Sequence, residues 1–385
     1  LDWAATQNNI GIALYSLAER EAGPTRLVEA EAAYRSALEE YTRERAPLQW
    51  AMVQNNLGNT LVALGQQGDR IEPFDKAAEA FRAALEVRTR EHFPILWAST
   101  MLNLGNALGH VGRLEAGTAA LEKAADAYRD ALEVFTREQG ALDWASAQNN
   151  LGSVLQTLGQ RNSDVGRIEE SISAFRASLE EYTRARVPFD WAMANFNLGN
   201  SLQLAGQLKS DPELLRQSLD AYRSALEEYR RETTPRQWAL AQAGVGSVLQ
   251  SLAAYQDPIE TLKQSVEARR FALEVLTREV APIEWATERA RHLPAQPFQL
   301  YRRRRAAARG HGGLRGDDGS VHARQPAAAM GLRGQQHRRR ALVARRARWR
   351  RPGVRGGAGE VRDGEGRLRP GRLRPAGDVG RPEDR

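Results

Sequence analysis

The sequence predicts an all-α protein, an α-solenoid of stacked antiparallel helical hairpins, on three observations. Seven of its eight tryptophans, Trp3, Trp50, Trp97, Trp144, Trp191, Trp238 and Trp285, follow one another at intervals of 47 residues. A glycine stands eight residues after each of the first six, at Gly11, Gly58, Gly105, Gly152, Gly199 and Gly246. Between these landmarks apolar residues recur at helical rather than strand spacing. A fixed period of this length marks an array of supersecondary units, each too small to bury its apolar side without a neighbour.

Each unit reads as two helices. In the second unit the first helix runs from Trp50 to Leu64, with Trp50, Leu57, Leu61 and Leu64 on one face. A polar, glycine-containing stretch at 65–69 breaks the pattern. The second helix is expected over roughly Glu72 to Glu91, where Ala77, Phe81, Ala84, Leu85 and the stem of Arg88 share a face. Trp50, Gly58, Ala77, Phe81, Ala84 and Leu85 are the structural signature of the unit, the small residues marking close helix approach and the large ones interlocking. Pro47, Pro94, Pro188, Pro235 and Pro282, three residues before the next Trp, are expected to stop the second helix, with Ala141 the exception. All six units keep Arg-Glu-Arg at four-residue steps, as in Arg35, Glu39 and Arg43 or Arg82, Glu86 and Arg90. Within one helix such pairs are worth about 0.2–0.5 kcal/mol each and form a solvated face.

The residues Asn-Leu-Gly in the first helix, Ala-x3-Tyr/Phe-x2-Ala in the second (Ala30, Tyr34, Ala37; Ala77, Phe81, Ala84; Ala124, Tyr128, Ala131) and the following proline resemble the tetratricopeptide repeat. The 47-residue unit exceeds that family's 34, which is expected to reflect a longer inter-helix loop and second helix, and it resembles the elongated repeats of the kinesin light chain type. The resemblance covers residues 1–287. It implies a solenoid whose first helices line a concave groove for peptides or protein surfaces.

On that face the position six after the Trp is Asn9, Asn56, Asn103, Asn150 and Asn197, then Gly244, and three residues further stand Asn59, Asn106 and Asn200, with Ser153 and Ser247 in the fourth and sixth units. Asparagine is not kept mid-helix for its propensity. Its carboxamide donates and accepts, which suits a peptide backbone. These eight asparagines are the candidate partner-binding groove. The same repetition equally suits an internal ladder in which each Asn satisfies its neighbour, and the sequence leaves both readings open.

No catalytic or metal-binding residue is expected, and no cofactor. His92 and His110 are the only histidines before residue 288, at unrelated offsets. The acidic residues read as surface rungs, and no phosphate-binding loop occurs. The absence of cysteine excludes thiolate metal sites and cysteine catalysis and fits a reducing, cytoplasmic location. No apolar run approaches the roughly 20 residues that span a bilayer, so no membrane partner is expected. The missing initiator Met suggests an internal piece of a longer chain.

The formal charge of +7 conceals a break in composition. Residues 288–385 hold 26 Arg against 9 acidic residues and 16 of the 33 glycines, leaving 29 basic and 39 acidic residues before them. The Arg-Gly-Gly at 355–357 and the Arg clusters invite a nucleic-acid reading, yet only Phe298, Tyr301 and Trp349 offer a stacking face, so no specific nucleic-acid partner is expected. The segment reads instead as further repeats translated out of frame. Met330 is ATG and Gly331 begins GG, so the frame one base later holds TGG, a tryptophan within two residues of position 332, where the 47-residue period places one. Such a tail is expected to be disordered. Function is therefore expected to be non-catalytic protein–protein scaffolding. The alternatives are a sensor or regulatory array of a larger signalling protein with a peptidase-like or nucleotide-hydrolysing effector, and nucleic-acid binding by the tail. Oligomeric state is left open.

Overall fold

The computed structural model describes residues 1–277 apart from Ala22 and Asp69. By its contacts the chain divides into Leu1–Arg305 and Ala306–Arg385, and the described residues all belong to the first unit. The Arg-rich segment 288–385, with its expected disorder and shifted frame, lies outside the described residues.

Among these residues there are twelve α-helices and no strand. Helix α1 (Asp2–Ala18) packs against α2 (Thr25–Glu40), α3 (Pro47–Gln66) against α4 (Glu72–Leu85), and α5 (Pro94–Leu114) against α6 (Ala119–Leu132). Then α7 (Arg137–Asn162) pairs with α8 (Val165–Leu179), α9 (Pro188–Lys209) with α10 (Pro212–Leu226), and α11 (Pro235–Leu252) with α12 (Pro258–Val275). Each even helix also packs on the odd helix that follows, and each odd helix touches the next odd one. Six hairpins thus stack in sequence order as a solenoid.

The helix boundaries correct the sequence reading. Pro47, Pro94, Pro188 and Pro235 do not close the second helix; each is the first residue of the next odd helix. Proline's fixed φ suits that position, where an N–H has no intrahelical partner to lose. The second helix ends earlier than expected. In the second unit α4 stops at Leu85, where Glu86 N bonds Ala83 O at 3.1 Å and Val87 N bonds Ala84 O at 3.2 Å, a tightened last turn. Where Ala141 replaces proline, α7 instead begins at Arg137, capped by Thr136, and carries a kink at Gly140 (φ −163°, ψ 64°). In units four and five the inter-helix link is too short to hold the length beyond a 34-residue unit, and in units two and three the second helix spans only 14 residues. That length lies in first helices of 20, 21, 26 and 22 residues in units two to five and in the connection leading to the next repeat. The links between α7 and α8 and between α9 and α10 are only two residues long. Ser163 and Ser210 turn the chain in the left-handed region (φ 55°), and Asp164 and Asp211 cap the next helix.

The signature residues sit where close approach demands them. Ala77, Phe81 and Ala84 are fully buried, Gly58 is buried, and Trp50 and Leu85 are half-buried. A Cβ on Gly58 would lie 2.5 Å from Phe81 Cε1, and one on Gly105 2.6 Å from Tyr128 Cε1, so the ring of the second helix rests directly on the backbone of the first. In the sixth unit the stem of Arg269 replaces the ring against Gly246.

The charge ladder also differs from expectation. Arg43 lies beyond the end of α2, so it cannot pair with Glu39 along a helix. It reaches the next unit, 2.5 Å from Glu86. The pattern continues with Arg90–Glu133, Arg137–Glu180 at 2.5 Å, Arg184–Glu227 at 2.5 Å and Arg231–Glu274 at 2.7 Å. Arg90, Arg137, Arg184 and Arg231 also lie 5.6–5.9 Å above Trp97, Trp144, Trp191 and Trp238. The repeated arginine thus ties one hairpin to the next through both a carboxylate and an indole face. These pairs are solvent-exposed and salt-screened, and fix register more than they add stability.

Candidate functional site

The asparagine face of the odd helices carries a hydrogen-bonded ladder. The carboxamide six residues after the Trp donates to the one five residues after the preceding Trp: Asn56 to Asn8 (3.2 Å), Asn103 to Asn55 (3.3 Å) and Asn197 to Asn149 (3.3 Å). In the third unit the acceptor position is Leu102, and Asn150 turns instead to Asn106 Oδ1 at 3.0 Å. That oxygen also accepts from the Tyr128 hydroxyl at 2.8 Å, and Asn149 Nδ2 donates to Asn150 Oδ1 at 3.4 Å. Asn200 accepts from Tyr222 at 2.7 Å. Asn59, half-buried, and Asn9, exposed at the first unit, bond no other described side chain.

A ladder does not exhaust these groups. Each carboxamide has two donor hydrogens and two acceptor lone pairs. Asn106 uses only its oxygen in these bonds, so its amide hydrogens are free to meet a ligand. The ladder ties the amides to one another and leaves part of their hydrogen-bonding capacity unused. The two readings of the asparagine repeat are therefore compatible.

The departure at Leu102 coincides with a cavity of about 360 Å³ spanning units two to five. Asn106, Asn149, Asn150, Asn197 and Ser153 line it, with Tyr128, His110, Arg113 and Gln66, and Val62 and Met193 as apolar wall. Of the eight expected residues it gathers Asn106, Asn150 and Asn197. Asn9, Asn56, Asn59, Asn103 and Asn200 lie along the same helices but do not line the cavity.

His110 and Arg113 give this cavity its chemistry. The His110 ring stacks on Phe74 (centroids 4.5 Å apart, 4° between planes), and its Nε2 lies 3.2 Å from Gln66 Nε2. Burial, helped by Arg113, pushes the imidazole down to about 4, so the ring is neutral near pH 7. Burial pushes the Tyr128 phenol up, against the pull of Arg113, and the hydroxyl remains a donor to Asn106. Arg113 folds back over Gly109: its Nη1 and the Tyr128 hydroxyl both lie 3.7 Å from where a Cβ on that glycine would sit. No described carboxylate pairs with Arg113. The arrangement is one uncompensated cation beside fixed amides, suited to holding an anionic group. Neither residue was singled out from sequence as part of the face. The signal was present: the third unit alone has His and Arg at these offsets, where the others hold Ser, Ala, Thr or Leu and Glu, Gln or Ala.

The His110 shift sets a pH dependence. Between about pH 6.5 and 4 the unfolded chain binds a proton that the folded one refuses, so stability falls as pH drops through this window and is unaffected above it. Thermal melts of the wild type and His110→Phe from pH 7.5 to 4.5 check this. The melting temperature of the wild type is expected to fall more steeply, with carboxylate contributions common to both.

Among the described residues no helix is long and apolar enough to cross a membrane, and no group of three or more His, Cys, Asp or Glu is placed to hold a metal ion. No characterised protein matches the chain by sequence. Solved structures similar to it include MamA protein (17% identity, 60% of this chain and 94% of that one, TM-score 0.38) and BtubC (BKLC) from P. vanneervenii (16%, 84% and 98%, 0.40). A third is the TPR2AB-domain:pHSP90-complex of yeast Sti1 (14%, 74% and 95%, 0.27). At these TM-scores superposition adds nothing to the geometry above. Residues 97–136 match the tetratricopeptide-repeat family. That segment holds both helix patterns of the third unit, and the other five units keep its Trp, Gly and Leu at the same offsets, with Ser171, Ser178, Ser218 and Ser265 in place of Ala and Arg269 in place of the ring. The third of the six stacked hairpins thus matches the tetratricopeptide repeat, and the other five repeat its helix pair.

Proposed function

We propose that the array is a non-catalytic scaffold that takes an extended segment of a protein partner along the asparagine-lined odd helices, with an anionic side chain of that segment at Arg113. The observation that carries this is the cavity between α5 and α9, where amides with spare donors surround a cation lacking a carboxylate. Contacts between successive odd helices, against at most marginal contact between successive even ones, support the odd face as the inner side of the curve. Asn9, Asn56, Asn59, Asn103 and Asn200 extend the polar face beyond the cavity and are proposed to meet the segment's backbone. The cysteine-free composition supports a cytoplasmic setting. The other two readings, an attached effector domain and nucleic-acid binding through 288–385, rest on chain outside the described residues.

Selection of a displayed random twelve-residue peptide library on the protein tests the proposal. Enrichment of sequences with Asp or Glu, competed by one another at a single site, is the expected result. Enrichment of basic or uncharged apolar peptides would overturn the role given to Arg113.

A further inference from the structure

The junction between the second and third units departs from the others at two positions that face each other. Counting from each Trp, position 38 holds Tyr41, Phe135, Tyr182, Tyr229 and Leu276, and position 3 of the following unit holds Val53, Ala147, Ala194 and Ala241. All are buried, and Tyr182 clusters with Ala194 as Tyr229 does with Ala241. In this one junction the pair is Arg88 and Thr100, and Arg88 Nη1 donates to Thr100 Oγ1 at 3.0 Å. Arg88 stands just past α4, its backbone N–H on Ala84 O at 2.9 Å, and turns inward where the other units place an apolar side chain.

The guanidinium is left uncompensated. Arg88 is 7% exposed, yet the bond to this neutral hydroxyl is the one its side chain makes among the described residues, and no described carboxylate pairs with it. Burial pushes its pKa down, and no charged group opposes the shift. An arginine does not shed its proton near neutral pH, so the buried charge persists at a cost that the apolar pairs of the other junctions do not carry. With Nη1 engaged, the free edge is Nε and Nη2, two parallel N–H bonds that match the two oxygens of a carboxylate. Thr100 Oγ1 also lies 3.4 Å from Asn55 Oδ1, which accepts from Asn103, so the cation adjoins the asparagine face.

We propose that Arg88 is an anion site separate from the Arg113 cavity and takes a carboxylate on its Nε–Nη2 edge. Arg88 does not line that cavity, and the two cations meet α5 at opposite ends, Thr100 near its start and Arg113 near its end. The junction gives up an apolar pair for this contact, the exchange of stability for binding that functional positions make. The carboxylate has two sources, a small acid free in solution or an acidic side chain of a protein partner. Only the second source rests on the scaffold reading.

Thermal melting of the 385-residue chain in increasing sodium formate tests this, with Arg113→Gln in every protein so that the other cation is gone. With Arg88 present, the melting temperature is expected to rise saturably by about 2 °C beyond that of the Arg88 variants, the shift that a ligand at about ten times its Kd gives an array of this size. Arg88→Leu, the residue type of the sixth unit, removes this gain, and the variants in the same solutions carry the general effect of the salt. Arg88→Lys keeps the charge without the fork and loses the gain as well. Arg88→Gln takes the place of the Leu variant if circular dichroism shows that one to lose helix. An acidic peptide selected on the protein separates the two sources. Affinity about tenfold lower in Arg88→Gln assigns the carboxylate to a partner, and unchanged affinity beside a lost formate gain assigns it to solution. If no peptide is selected, the formate series still decides, because it uses no partner. The same formate response with and without Arg88, or a full response kept by Arg88→Lys, would overturn the proposal.

Discussion

Gly58→Ala lowers the unfolding free energy of the array by about 2 kcal/mol, against the sign that helix propensity alone gives. In an open helix interior the same change stabilises by about 1 kcal/mol. Here the new methyl would lie 2.5 Å from Phe81 Cε1 and 2.7 Å from Cζ, on a ring with no exposed surface into which to retreat. Relief needs the α3–α4 hairpin to open, which loosens contact with α5 as well. Urea unfolding checks the value, and two companions sharpen it. Gly68→Ala, where a Cβ would meet nothing within 4 Å, should stay within about 0.5 kcal/mol of the wild type. Phe81→Leu combined with Gly58→Ala should lose less than the sum of the single changes, because a smaller side chain makes room for the methyl. Additive losses would mean that Gly58 is there for another reason.

Arg113→Gln weakens binding of an acidic peptide by about 10- to 100-fold, the range for one charge-assisted hydrogen bond in a partly enclosed site. The fold is expected to be untouched. Arg113 pairs with no described carboxylate, and its backbone oxygen, which accepts from Arg161 at 3.2 Å, survives the substitution. Affinity for a peptide with Asp or Glu replaced by the amide should change little between the two proteins. The cleaner separation comes from this residue and not from the asparagines. Replacing Asn56, Asn103 and Asn150 together removes hydrogen bonds between repeats as well as candidate contacts, so stability and affinity fall together.

The sequence made the repeat legible because its Trp and Gly recur without error and an aromatic ring recurs in five of the six second helices. Trp50, Gly58 and Phe81 mark a helix start, a close approach and the ring that fills it, and periodicity alone ties them to one hairpin. It misled where a local rule competes with a tertiary one. Pro47 reads both as a stop for the helix before it and as a start for the helix after it, and only the second applies. Arg43 stands four residues after Glu39, but the helix between them has already ended, so the charge pairs with Glu86 of the next repeat. At the candidate site, repetition revealed the asparagine ladder and concealed the pocket. Leu102, His110 and Arg113 are departures from the repeat, and attention to what recurs passes over them. An array that repeats for stability is expected to bind where the repetition fails.

The most direct test of the proposed groove is the side-chain amide spectrum of the ¹⁵N-labelled protein during titration with an acidic peptide selected on it. Saturable shifts of the Asn106, Asn150 and Asn197 amide signals, with Asn9 unchanged, are the expected result. Saturable binding that leaves those three signals in place would contradict the account.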